Sequence, residues 1–194
     1  LSGLVGSEMC IRDRPYVVQV TDVNGNGVSN APVNIQLSSL WYATGTRTFV
    51  TSRWKNNITA TCMDEDSLLP STPNYRNGIL DQGEDRNNND RLDVGNIGAV
   101  TPGDLITDEN GVAFFNIIYP QEYAEWLYVQ LKVSTFVEGT ESSRTSTFWL
   151  PIPSSDYSQL GQTKPPPGLT SPFGETDTCT VEGLTDVPLD PPAL

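Results

Sequence analysis

The chain has 194 residues, with 24 Asp or Glu against 11 Lys or Arg and no histidine. The net charge of −13 repels nucleic-acid phosphates. The missing imidazole excludes Ser-His-Asp and Cys-His catalysis and the usual histidine-containing zinc sets. An apolar content of 37% with 16 Gly and 15 Pro suits a turn-rich all-β domain rather than a helical one, and no run approaches a membrane-spanning helix.

Residues 16–21 predict a first strand, with Tyr16, Val18 and Val20 on one face. The Asn-Gly pairs within residues 22–27 predict a tight turn, because such pairs accept positive φ. Residues 32–38 predict a second strand, with Val33, Ile35 and Leu37 alternating with polar residues. Residues 48–51 and 58–61 have β composition. Residues 62–103 read as a long acidic insertion rich in Asp, Asn, Gly and Pro. Strand character resumes at 105–107, and a turn follows at 108–111. Residues 112–119 form a strand apolar on both faces, and 126–137 a long strand with Leu127, Val129, Leu131 and Val133 inward. A turn at 139–142 precedes a closing strand at 145–150. About seven short strands of mostly alternating pattern predict an antiparallel two-sheet sandwich. Residues 154–194 read as a Pro-rich tail or linker, which could lie extended across the sandwich with Phe173 as an anchor.

The acidic insertion repeats itself. Residues 77–84 are followed, at a period of twelve, by residues 89–96, with Leu80 and Leu92 at matching apolar positions. Oxygen-bearing side chains alternate at Asp85, Asn87 and Asn89 and recur at Asp93. A hard cation such as calcium takes six to eight oxygens at about 2.3–2.6 Å, which a turned loop with alternate ligands supplies. A second metal site would draw on Asp64, Asp66, Asp81 and Glu84. Without an ion, the same stretch reads as a solvated array of Asx turns or an acidic spacer. Clustered carboxylates repel each other, so an ion would order the loop.

Cys62 opens the insertion and Cys179 lies in the tail. A disulfide between them would tie the tail to the domain, and an oxidising compartment would permit it. The alternative is two unrelated thiols. Trp41, Trp54, Trp126 and Trp149 could include a sugar-stacking platform, although aromatics in a sandwich more often fill its core. Adjacent acids such as Glu84 and Asp85 lack the fixed separation of about 5–9 Å that glycosidase chemistry needs, so no enzyme is expected.

Residues 4–14 resemble the translation of a transposon-end sequencing adapter, which would place the native start near Pro15 and set residues 1–14 outside the fold. Removing them leaves the charge balance unchanged, since Glu8 and Asp13 offset Arg12 and Arg14. Val20-Thr21-Asp22, the Asn-Gly turn, Val28 and Ala31-Pro32-Val33 resemble the opening of bacterial immunoglobulin-like repeats of the invasin and intimin type. Thr107-Asp108-Glu109-Asn110-Gly111-Val112-Ala113 resembles a later hallmark of that family. The resemblance covers about residues 15–153, interrupted by the insertion, and implies an immunoglobulin-like β-sandwich. The insertion resembles a calcium loop of the EF-hand or dockerin type. On that pattern Asp85, Asn87 and Asn89 take the first three ligand positions, Arg91 offers its carbonyl and Asp93 follows. Asp90 stands where a turn glycine is usual, and Asn96 where a bidentate acid is usual, which weakens the expected binding. No flanking helices accompany the loop.

The resemblances imply an exported, calcium-stabilised module with a structural or adhesive role at the bacterial surface, located extracellularly, at the cell surface or in the periplasm. Expected partners are calcium ions and neighbouring immunoglobulin-like domains or a surface receptor or glycan; no nucleic acid and no membrane insertion within this stretch are expected. The alternative is a carbohydrate-binding accessory module of a larger secreted protein.

Overall fold

The computed structural model describes residues 11–51, 53–67, 75–85, 90–137, 139–153 and 166–176. Alternation of apolar and polar side chains organises the long strands, because successive side chains point to opposite sheet faces. The strands are β1 (Ile11–Gln19), β2 (Pro32–Val50), β3 (Arg53–Met63), β4 (Ala99–Thr101), β5 (Asp104–Ile106), β6 (Val112–Pro120), β7 (Leu127–Val137) and β8 (Thr140–Trp149). Short 3-10 turns occupy Glu65–Ser67 and Gln121–Tyr123.

The strands form two packed sheets, an all-β sandwich with antiparallel pairing throughout. The smaller sheet has the order β1-β6-β4, and the larger β3-β2-β7-β8 with β5 also pairing β2. The core lies between them. Val33, Ile35, Val129 and Leu131 from the large sheet meet Phe115, Ile117 and Tyr119 from the small one. Tyr16 stacks on Phe115 at 5.6 Å and on Phe148 at 6.1 Å, joining the sheets. Phe115 is 3% exposed, and truncating such a side chain to alanine typically costs about 3–5 kcal/mol.

Several boundaries differ from the sequence expectations. β1 starts at Ile11 rather than beyond Pro15, because its pairing with β6 continues to Ile11↔Pro120. The inward positions of that extension carry Arg12 and Arg14, and the Arg14 Nε is buried without a hydrogen-bond partner. β2 runs to Val50 and forms a long hairpin with β3, accommodated by a bulge between Thr44 and Gly45. Gly45 has φ of +138°, and an added Cβ would lie 2.1 Å from the Asn57 carbonyl oxygen. Cys62 sits inside β3 and is buried, whereas a turn-rich setting was expected. The acidic excursion ends earlier than residue 103, since β4 pairs with β6 and Ile97 and Val100 pack on the core. β8 begins at Thr140, where a turn was expected. Trp126 and Trp149 are buried, at 0% and 6% exposure, so neither belongs to a sugar-stacking platform.

The turn chemistry follows the sequence closely. Asp22 Oδ1 accepts from the backbone N–H groups of Asn24 and Asn26, both at 2.8 Å, and the Asn26 bonds above all hold its carboxyl below the usual range. Asp108 Oδ1 likewise accepts from Asn110 and Val112. Thr107 is buried, and its hydroxyl donates to the Val28 carbonyl at 2.7 Å while accepting from the Ala31 N–H at 2.9 Å.

Candidate functional site

The acidic excursion leaves the end of β3 and is pinned at its base by reciprocal bonds. The Glu65 N–H donates to the Asp93 carbonyl at 2.7 Å, and the Asp93 N–H donates to Glu65 Oε2 at 2.9 Å. Asp64 caps the short turn that follows β3. Its Oδ1 accepts from the Asp66 N–H at 3.3 Å and from the Val94 N–H at 3.4 Å across the base. Short acidic side chains suit such positions because they satisfy backbone donors left over at the start of a helical turn.

The outer part of the excursion is held by further carboxylates. Asp66 accepts from the Gly78 N–H through both oxygens, at 3.2 and 3.0 Å. Glu84 Oε2 accepts from the Asp81 N–H at 2.8 Å, and the Glu84 N–H donates to the Asp81 carbonyl at 3.1 Å. Asn77 donates to Asp81 Oδ2 at 2.8 Å. Asp85 Oδ2 accepts from the Asp90 N–H at 3.1 Å. Asp90 adopts φ of +58°, the left-handed conformation that the glycine-like turn position requires.

Burial is the unusual property of this segment. Asp64, Glu65, Glu84 and Asp93 are exposed by only 6%, 0%, 0% and 4%. Carboxylates are almost never buried to this extent unless they are paired or coordinate a metal. Burial pushes the Asp64 carboxyl up to about 6, with Asp66 adding to the shift and the Val94 N–H and Arg76 opposing it. A polar cleft of about 160 Å³ beside this base is lined by Ser38, Ser39, Asp64, Asp66, Arg76 and Asn96, among others. The second oxygen of Glu84, Oε1, is buried without a hydrogen-bond partner.

The expected ligands are thus partly brought together. Asp64, Glu65 and Asp93 meet at the base, and Asp81 and Glu84 are bonded to each other further out. Asp85 is half-buried and Arg91 is exposed. Asn87 and Asn89 lie outside the described residues, as does Cys179. Among the described residues no three acidic or cysteine side chains converge in metal-holding geometry. Glu65 was not among the sequence candidates. The run Asp64-Glu65-Asp66 marks its neighbourhood as acidic, but nothing in the sequence distinguishes Glu65 from a solvated loop acid.

The chemistry of the donor set fits a hard cation. Every candidate group offers oxygen rather than nitrogen or sulfur, and Glu84 Oε1 lacks the donor that a buried carboxylate needs. No family model, curated protein or solved structure matches this chain.

Proposed function

We propose that the protein is an immunoglobulin-like module stabilised by calcium, serving a structural or adhesive role at a bacterial cell surface. The observation that carries this reading is Glu84, wholly buried with one carboxylate oxygen lacking a partner, within a segment holding three more buried acids. Calcium would be held by the 81–93 segment, with Asp85, Asn87, Asn89, the Arg91 carbonyl and Asp93 as ligands. Asp64, Asp66, Asp81 and Glu84 would supply a second ion. Bound calcium would supply positive charge that offsets carboxylate repulsion and desolvation. The chain's own residues set the frame: Glu65 and Asp93 clamp the base, and Asp90 turns the loop.

The sandwich topology and the Thr107 turn support the immunoglobulin-like part of the reading. An exported location follows from that part, and an oxidising compartment would permit a disulfide between Cys62 and Cys179. The tail supports the pairing by its course. The Thr59 hydroxyl on β3 donates to the Glu175 carbonyl, and the Gly45 N–H donates to the Gly174 carbonyl at 2.9 Å. Four residues of extended chain from Glu175 reach at most about 13–14 Å, and Cys62 lies three residues beyond Thr59 on the same strand.

The double substitution Asp85→Ala with Asp93→Ala tests the ligand assignment. Calcium is expected to raise the melting temperature of the unsubstituted chain and to raise that of the double variant, which keeps the second set of acids, by less. An equal rise in both would remove the assignment.

A further inference from the structure

β2 changes neighbours halfway along one edge. β7 pairs with it as far as Tyr42↔Leu127, and the Ala43 N–H then donates to the Trp126 carbonyl at 2.8 Å just before β7 begins. From Gly45 onward the same edge is closed by the C-terminal segment. The Arg47 N–H donates to the Leu169 carbonyl at 2.7 Å, and the Ser171 N–H donates to the Gly45 carbonyl at 2.9 Å. The Gly45 N–H donates to the Gly174 carbonyl, and Thr46 and Thr170 form an antiparallel bridge.

Side-chain contacts read the segment residue by residue. The buried Ser171 hydroxyl donates to the Ala43 carbonyl at 2.6 Å. Phe173 sits between Tyr42 at 4.7 Å and Tyr123 at 5.4 Å. Gly168 has φ of +67°, and an added Cβ would lie 2.3 Å from the Glu122 carbonyl oxygen. The Trp126 indole donates to the Gly168 carbonyl at 3.0 Å, and the Arg47 guanidinium donates to the Pro167 carbonyl from its place over the Trp126 ring.

We propose that the β2 edge from Ala43 to Arg47 is a peptide-binding groove for an extended Gly-x-x-Ser-Pro-Phe-Gly segment, filled by the chain's own residues 168–174 and able to accept the same segment from a second copy. Main-chain bonds to a strand edge supply affinity, and pockets for particular side chains supply selectivity. The segment stands outside both sheets' strand order and joins the body through a strand edge, the aromatic anchor Phe173 and side-chain bonds from Arg47, Thr59 and Trp126. The groove cannot stay empty without stripping partners from the buried Arg47 and from the backbone of Gly45. A segment from another copy makes identical contacts, so exchange costs none of them. The groove is independent of the proposed cation.

The test uses a fluorescently labelled peptide of residues 166–176 and full-length chains carrying Phe173→Ala or Gly168→Ala, in reducing buffer. Both substitutions weaken the resident segment and leave the groove intact. Anisotropy titration should show the peptide binding the variants at least tenfold more tightly than the unsubstituted chain. A control peptide with both Ser171 and Phe173 replaced by alanine should not bind. Equal affinity across all three proteins, or equal binding of the control peptide, would overturn the proposal. If one variant fails to fold the other carries the test. Failure of both would make the segment part of the core rather than an exchangeable ligand, which also overturns it.

Discussion

Glu84 is fully buried, with one carboxylate oxygen bonded to the Asp81 N–H and the other lacking a partner. A buried polar atom in that state costs roughly 1–3 kcal/mol. Glu84→Gln removes the charge and supplies an amide in its place. In chelator the variant is expected to melt above the unsubstituted chain, and in millimolar calcium it should gain less from the ion. A lower melting temperature in chelator together with an undiminished calcium gain would show that Glu84 faces no cation. The acids themselves were legible in the sequence as a twelve-residue repetition of oxygen-bearing side chains. Their burial was not. Glu65 and Glu84 look like solvated loop acids in sequence; the excursion folding back onto the end of β3 buries Glu65, and Glu84 is buried further out, bonded to Asp81.

At the level of elements, the turn at 107–111 ties the connection after β1 to the start of β6. Thr107 is buried and bonds Val28 and Ala31 at once. Thr107→Val keeps the shape and strands a buried N–H and a half-buried carbonyl, so a loss of about 1–3 kcal/mol is expected in urea unfolding. A loss below a few tenths would show that water replaces the hydroxyl. The tail offers a second prediction. Reduction of a Cys62–Cys179 bond should expose sites beyond residue 176 to limited proteolysis, and an identical fragment pattern with and without reductant would argue against that pairing. Strand identity was legible wherever apolar residues alternate, as in Val33, Ile35, Leu127 and Val129. Two features escaped that pattern. The β2–β3 hairpin is rich in Thr and Asn, and its register depends on a bulge at Gly45. β8 carries exposed polar side chains on both faces through its first eight positions, so no alternation marks its start at Thr140 and the sequence placed the strand only from residue 145.

For the whole molecule, a sandwich with a small apolar fraction carries a charge of −13 and buries several acids near one end of β3. Self-repulsion and desolvation of those groups oppose folding, and a bound divalent ion would offset both. At ten to a hundred times its dissociation constant, one ion would stabilise the fold by roughly 1.4–2.7 kcal/mol. The most direct measurement is calorimetric titration of calcium into the intact, chelator-stripped chain. Saturable uptake with a dissociation constant on the order of 10⁻⁴–10⁻³ M is predicted, the range of the weaker calcium-binding modules. No heat of binding at any of several temperatures, with melting unaltered by the metal, would contradict the account.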